Sequence, residues 1–200
     1  MPTERGFLRT HAFLVAAVAL PVIVAGFFIV ATLIPRWTVP PPAYDLVLRA
    51  QHPYENSQLA VLAEYVVRDN RVEAIVRKAP ETYSLRWALF LFDHATGTIR
   101  EIPVKLPERV PDGETQTVAV EQLAGMTVRA DATAPDGYEL TVRTGSRSGL
   151  VGELFGMDGY RQSVVLVNRG RIVPLVLPSP YQAPYGTTVQ VVGWIDSRPR

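Results

Sequence analysis

Acid–base or metal chemistry in this chain of 200 residues would depend on three histidines, His11, His52 and His94. One of them has a suitable neighbour, because Asp93 directly precedes His94, and a carboxylate that orients an imidazole is a common arrangement for a general base. Both residues also fall in a segment typical of a hairpin turn, where Asp and other polar residues bond to the local backbone. We interpret the pair as part of a turn and expect no catalysis there.

Other reactive patterns are incomplete. Residues Gly145–Gly149 read GSRSG, with Arg147 at the position where a nucleophile elbow requires serine. The chain has no cysteine, which excludes disulfides and thiolate metal sites. An apolar run separates His11 from the other two histidines, so a histidine-rich metal site is excluded as well. No zinc-protease, phosphate-loop or dinucleotide motif occurs, and we expect no enzyme activity, no cofactor and no metal.

The element that must position everything else is the apolar run Ala12–Ile34, which has no charged residue and a single hydroxyl group, that of Thr32. At about 1.5 Å per residue it reaches roughly 35 Å, enough for a hydrocarbon core of about 30 Å. It is longer than the apolar core of a cleaved signal peptide, and no small-x-small cleavage site follows it. The run therefore predicts an uncleaved transmembrane helix.

The orientation of this helix in the membrane is predicted from the order of segments along the sequence, because the flanking charges do not decide it. Arg5 and Arg9 on the amino side are matched by Arg36 and Arg49 on the carboxyl side, so the positive-inside rule gives a tie. A short tail before the first long apolar run, here residues 1–11, is how a signal-anchor protein begins. We predict a single-pass protein of a bacterial inner membrane, with its tail in the cytoplasm and its domain in the periplasm or outside the cell.

Residues 35–42, PRWTVPPP, are expected to form a stalk. Trp37 suits the headgroup zone and is a candidate membrane contact, and the prolines favour an extended polyproline conformation. At about 3.1 Å per residue such a stalk would lift the following domain by roughly 20 to 25 Å. The domain, residues 43–200, should therefore work close to its own membrane, with an integral membrane protein as partner.

Charge argues against a nucleic acid as partner. The chain has 20 Lys and Arg residues and 19 Asp and Glu residues. The charged residues before Arg36 are Arg5, Arg9 and Glu4. The remaining part is therefore neutral, whereas nucleic-acid binding needs a basic surface that neutralises phosphates. A small-molecule ligand is neither indicated nor excluded by this balance.

Beyond Pro42 the apolar residues recur with a period of two, which predicts an antiparallel β domain. Residues Glu64–Lys78 have the pattern of a hairpin about Asp69 and Asn70. The start of this region, residues 57–65, is also compatible with a short helix capped at Ser57, and the sequence does not decide between helix and strand.

The strand with the strongest pattern is Tyr83–Asp93, whose apolar residues on both faces indicate a central position in a sheet. Residues Ile99–Leu106 should pair with it either near an edge or with Pro103 turned to solvent, because Pro103 cannot donate a ladder hydrogen bond. About nine short strands in all suggest a β sandwich or a partly open β barrel. The other predicted strands are Thr115–Gln122, Met126–Asp131, Tyr138–Thr144, Ser163–Val167, Arg171–Leu177 and Thr187–Asp196.

One stretch combines apolar side chains with glycines, GLVGELFGMDGY over residues Gly149–Tyr160. Glycine-rich composition is poorly suited to regular structure. One interpretation is a plug that closes one end of the β domain. The other is a surface offered to a partner, a lipid or the membrane, because sizeable exposed apolar patches usually have such a use. The candidate contact residues in it are Leu150, Val151, Leu154, Phe155 and Met157.

Two short stretches, VVLVNRGRIVP at Val164–Pro174 and YGTTVQVVGWI at Tyr185–Ile195, resemble part of the Surfeit-locus family of cytochrome oxidase assembly factors. That family has LVNRGWVP followed by a G-x-V-x-V-x-G strand, and Arg171 stands here where the family has tryptophan. The resemblance implies a membrane helix with an extra-cytoplasmic β domain.

Three functional hypotheses follow from these features. The first is a non-enzymatic, membrane-anchored β domain that serves as an accessory or assembly component of an inner-membrane complex. The second is a module that binds a lipid or another envelope ligand, for which an aliphatic cavity would be the mark. The third is a carboxylate-dependent envelope hydrolase, for which two carboxylates converging in a cleft would be the mark.

Overall fold

The computed structural model describes residues 12–53, 60–80, 85–146, 160–178, 181 and 188–196. Contacts between Cα atoms divide the chain into two compact units. Unit 1 comprises residues 1–40 and 169–171, and unit 2 comprises residues 41–168 and 172–200. The described residues are mainly β with antiparallel sheets, as the period of two predicts.

The main element of unit 1 is the helix α1, Ala12–Thr38. It continues past Ile34, so the first part of the predicted stalk, from Pro35 to Thr38, is helical. A proline inside a helix removes one backbone hydrogen bond, and the turn that follows is supported by the Thr38 hydroxyl, which donates to the Ile34 carbonyl at 3.0 Å.

Within the described residues, no helix combines the length and the apolar character that a membrane crossing requires. The structure therefore does not support the transmembrane helix predicted for Ala12–Ile34.

The described residues beyond Pro40 form three antiparallel sheets. The strands that the structure describes are β1 Asp45–Pro53, β2 Val61–Arg68, β3 Arg71–Lys78, β4 Leu85–Asp93, β5 Thr98–Ile102, β6 Thr115–Ala119, β7 Val128–Arg129, β8 Glu139–Ser146, β9 Tyr160–Asn168, β10 Arg171–Leu175 and β11 Val189–Ile195. One sheet has five strands in the order β5-β4-β1-β11-β7, and the others have the orders β2-β3-β6 and β10-β9-β8.

The centre of the five-stranded sheet is β1, which the sequence patterns did not single out. It pairs with β4 on one side and with β11, the last strand, on the other. Its residues Leu46, Val47 and Leu48 are all fully buried. A strand buried on both faces has a continuous apolar run instead of an alternating one, which is why a search for period two does not find it.

The predicted hairpin about Asp69 and Asn70 is confirmed as β2 and β3. Both turn residues have positive φ, 48° and 58°, as a two-residue type I′ turn requires. Strand β2 begins at Val61, so residues 61–65 are strand and not helix, while residues 57–59 lie outside the described part of the chain.

The hairpin packs against one face of the five-stranded sheet. Its buried residues Val72, Ala74 and Val76 share one apolar cluster with residues of that sheet, among them Leu89 and Leu91. Two sheets joined through such a cluster are consistent with the predicted β sandwich.

The opposite face of the five-stranded sheet is buried as well. Phe90 and Phe92 of β4 have exposed fractions of 0% and 1%. The ring of Tyr181 meets the ring of Phe90 edge to face, with centroids 4.8 Å apart. The central position predicted for Tyr83–Asp93 is therefore confirmed for the described part, Leu85–Asp93. Its partner β5 is an edge strand, as predicted, but it ends at Ile102 and does not continue to Leu106, because Pro103 cannot donate the next ladder hydrogen bond.

Candidate functional site

The first candidate surface is α1. Between Ala17 and Ala31 every side chain is apolar and none is buried. Val22, Ile23 and Val24 are consecutive and each has an exposed fraction of at least 45%. Successive helix positions are rotated by about 100°, so the apolar surface faces several directions and not one stripe. A helix that is apolar all round is normally covered by protein or lipid.

Among the predicted contact residues, Trp37 is the one whose position the structure describes. It lies in the last turn of α1 with an exposed fraction of 77%, so its indole is available to a partner or to lipid headgroups. The remaining predicted contacts, Leu150, Val151, Leu154, Phe155 and Met157, lie outside the described residues.

A second candidate is the group formed by Asp45, Asp93 and His94. Strand β1 begins at Asp45 and the antiparallel β4 ends at Asp93, so the turn after β4 comes to lie beside the start of β1. The backbone N–H of His94 donates to Asp45 Oδ1 at 2.9 Å, and the ring Nδ1 lies 2.7 Å from the same oxygen. The imidazole thus has Asp45 as its carboxylate partner, not the adjacent Asp93.

Asp93 serves the turn itself, as predicted. Its Oδ1 accepts hydrogen bonds from the backbone N–H groups of Ala95 at 2.8 Å and Thr96 at 3.2 Å. The bond from Thr96 is the main reason that the pKa of the Asp93 carboxyl is held below its usual range. Asp45 Oδ1 and Asp93 Oδ1 therefore both accept hydrogen bonds from backbone N–H groups of the turn after β4.

Among the described residues, Asp45, Asp93 and His94 are close enough together to bind one metal cation jointly. One ligand atom from each lies within 4.8 Å of the others, and carboxylate and imidazole are both ligands of divalent metals. All three are half-buried. The role that the hydrogen bonds show is to tie the β4–β5 turn to the first strand of the sheet.

This role predicts a graded loss of stability. Asp45→Ala removes both bonds to His94 and leaves a backbone N–H without its acceptor, and we expect a loss of about 1 to 3 kcal/mol in the free energy of unfolding. His94→Ala removes only the ring bond and should cost less. Urea unfolding followed by circular dichroism measures both. Equal losses for the two variants would contradict the role assigned to the backbone bond.

A third candidate is a groove of about 120 Å³ between the beginnings of β2 and β4. One wall is the half-buried Trp87, and the guanidinium of Arg49 lies 4.7 Å from the centre of its ring. Arg49 is held in turn by Gln190 Oε1, which accepts from Nε at 2.9 Å and from Nη2 at 2.7 Å. The groove is lined by Ala60, Val61, Leu62, Ala63, Leu85, Arg86, Trp87 and Leu106.

The lining decides what the groove can accept. It is aliphatic and aromatic apart from Arg86, whose side chain alternates to the face of β4 opposite Trp87, so the groove suits a small apolar group. Pockets for drug-sized ligands have volumes of about 300 to 1,000 Å³, and this one is smaller. It has room for a single side chain or a short alkyl group. The alternation of apolar residues along β4 indicated that Trp87 faces inward. The sequence did not show that β2 would be the strand packed next to it.

No family model, no curated protein and no solved structure matches this chain.

Proposed function

We propose that α1 holds this protein at a lipid membrane. Unit 2 acts there as a non-enzymatic accessory or assembly component of a membrane complex. The observation that supports the proposal is the surface of α1, on which an uninterrupted run of apolar side chains faces outward in several directions. A lipid environment covers such a helix on all sides. A single protein neighbour would cover one side of it.

The energetic argument rests on the large side chains of that helix. Phe27 and Phe28 have exposed fractions of 69% and 63%, and Ile29 and Val30 follow with 59% and 54%. Removing one such side chain from water is worth about 1.5 to 3 kcal/mol. Burial of the exposed apolar residues of α1 in lipid would therefore contribute on the order of 10 kcal/mol or more, which is sufficient for stable membrane association.

The remaining parts of the proposal concern orientation and partners. The proposal places the N-terminal side of α1 in the cytoplasm and unit 2 on the periplasmic face of a bacterial inner membrane or outside the cell. The neutral charge beyond Arg36 favours a partner bound through apolar contacts and individual ion pairs. An integral membrane protein is such a partner.

A second function is favoured by one observation, the mostly aliphatic groove at Trp87. A lipid or another envelope ligand could place a short alkyl segment in it. Its volume of about 120 Å³ would cover a small fraction of an acyl chain, so we place this ligand-binding function after the accessory function.

Membrane association predicts a clear result in cell fractionation. The full chain should stay in the membrane pellet after alkaline carbonate washing and be released by detergent. Two charges on one side of α1, Val24→Arg with Phe28→Arg, should move the protein into the soluble fraction, because each arginine near the centre of a membrane helix costs about 2.5 to 3.5 kcal/mol.

The matched control places the two arginines on unit 2, as Thr115→Arg with Thr117→Arg at exposed positions of β6. That variant should still pellet with the membranes. If the unaltered chain were recovered in the carbonate supernatant, the anchoring role of α1 would be refuted.

Orientation is tested separately. Alkaline phosphatase fused after Arg200 should be active, and a green fluorescent protein fused there should be dark. The reverse pair of results would contradict the periplasmic assignment.

A further inference from the structure

We infer that the turn between β9 and β10 binds the phosphate headgroup of an anionic phospholipid at the point where α1 leaves the membrane. Arg169, in the middle of this turn, supplies the positive charge. The inference rests on the proposed function, because it needs α1 in lipid, and it names the class of lipid that the protein recognises. It concerns unit 1 alone, which contains both α1 and residues 169–171.

One hydrogen bond places this turn at the carboxyl end of α1. Nη1 of Arg171 donates to the carbonyl oxygen of Val39, the residue directly after the end of the helix at Thr38. The last carbonyl groups of a helix have no partner within it, and a cation is favourable beside them. The contact therefore holds the turn, with Arg169 only two residues from Arg171, at this end of α1.

The position of the contact along α1 corresponds to the headgroup layer. Ile34 is the last branched aliphatic residue of the helix and is 49% exposed. Val39 follows it by five positions, which is roughly 7 Å along a helix axis, and the headgroup layer on each side of the hydrocarbon core is about 5 to 7 Å thick. With Ile34 at the edge of the hydrocarbon, the exposed Trp37 and the Val39 carbonyl lie among headgroups, the depth that tryptophan prefers.

The backbone conformation of Arg169 is unusual for an arginine. Its φ is +43°, and that of Gly170 is +87°. Two-residue turns with positive φ strongly favour Asn, Asp or Gly, as Asp69 and Asn70 illustrate in the β2–β3 hairpin. The local structure thus disfavours an arginine at this position, and such a conformation is an indication of a function outside the turn.

The charge of Arg169 is available to a ligand. The residue is exposed, and it forms no ion pair or side-chain hydrogen bond with another residue that the structure describes. A guanidinium group presents a planar fork of N–H donors that matches the oxygens of a phosphate. An acidic protein segment would offer a similar charge, but the place of the turn at the membrane end of α1 favours a lipid.

The test uses the full chain in vesicles of phosphatidylcholine and phosphatidylglycerol, with one of the two lipids brominated on its acyl chains. Bromine quenches the fluorescence of a tryptophan that it contacts, and a Trp37→Phe variant identifies the emission of Trp37. Comparing the two brominated lipids gives their relative binding constant beside Trp37. We expect a preference of about fivefold for phosphatidylglycerol, the usual effect of one arginine at an anionic membrane surface, and high salt should reduce it.

Arg169→Asn is the decisive variant. Asparagine suits a positive φ, so the melting temperature should not fall, while the preference for phosphatidylglycerol should disappear. Arg71→Asn is the matched control, because it removes the same charge from an exposed residue beside the turn of the β2–β3 hairpin. It should leave the preference unchanged. Equal losses for the two variants would mean that the preference follows net charge and would overturn the inference.

The same measurement separates this inference from the proposed function. If both brominated lipids quench Trp37 equally, α1 lies in lipid but the turn selects no headgroup, and the inference alone fails. If neither lipid quenches Trp37, the proposed function fails together with the inference.

Two soluble competitors test for other occupants. Sodium phosphate should not remove the preference for phosphatidylglycerol more than sodium chloride of the same ionic strength does. If it does, the site takes free phosphate and the inference is wrong. Displacement of phosphatidylglycerol by polyglutamate at the same ionic strength would assign the turn to an acidic protein segment and would also overturn it.

Discussion

Phe90→Ala is expected to lower the free energy of unfolding by about 3 to 5 kcal/mol, the usual cost of truncating a buried phenylalanine. Phe90 is fully buried in β4, which lies between β5 and β1, where it is paired with Leu48 of β1 and contacts the ring of Tyr181. The substitution removes the ring from the closely packed second face of the sheet and leaves a cavity. Urea unfolding of the full chain in detergent, followed by circular dichroism, measures the loss.

The neighbouring residue provides the comparison for the other face. Leu89 is also fully buried, and it belongs to the cluster shared with the β2–β3 hairpin. Leu89→Ala should cost about 2 to 5 kcal/mol, whereas Arg100→Ala at an exposed position of β5 should stay within about 0.5 kcal/mol. A large loss for Leu89→Ala together with a negligible loss for Phe90→Ala would mean that the second face is open to water, contrary to the structure.

Gly193→Ala is the second substitution with a large expected effect. A Cβ atom at this position of β11 would lie 2.5 Å from Val128 Cγ1 and 2.6 Å from the carbonyl oxygen of Arg129, both on the neighbouring strand β7. Neither distance is compatible with van der Waals contact, so β7 must move. We expect a loss of about 1 to 3 kcal/mol, the typical cost of overpacking, measured by the same unfolding experiment.

A double-mutant cycle separates this steric effect from a general loss of stability. Val128→Ala removes the nearest of the two clashing atoms, so in combination with Gly193→Ala it should cost at least about 0.5 kcal/mol less than the sum of the two single effects. The control is Gly97→Ala, where φ is +69° and no atom lies within 4 Å of the added Cβ. Its strain should simply add to the effect of Val128→Ala. Additive effects in both cycles would contradict the clash.

The features that could be predicted from the sequence are those set by neighbours along the chain. Asp69 and Asn70 tolerate the positive φ that a two-residue turn needs, so the hairpin of β2 and β3 follows from the turn residues and the alternation around them. The turn role of Asp93 is of the same kind, since the N–H groups that it accepts from belong to Ala95 and Thr96. The edge position of β5 follows from Pro103 in the same way, although the predicted continuation of that strand to Leu106 was wrong because β5 ends at Ile102.

The features that only the tertiary structure decided depend on contacts between distant residues. β1 is the centre of the sheet because β4 and β11 flank it, and its continuous apolar run gives no alternation to recognise. His94 receives its carboxylate from Asp45, 49 positions earlier in the chain. The groove at Trp87 exists because the beginnings of β2 and β4 come together, although Trp87 and Leu62 lie far apart in sequence. Local periodicity specifies which way a side chain faces along its own strand, but the residues opposite it are chosen by the packing of the sheets.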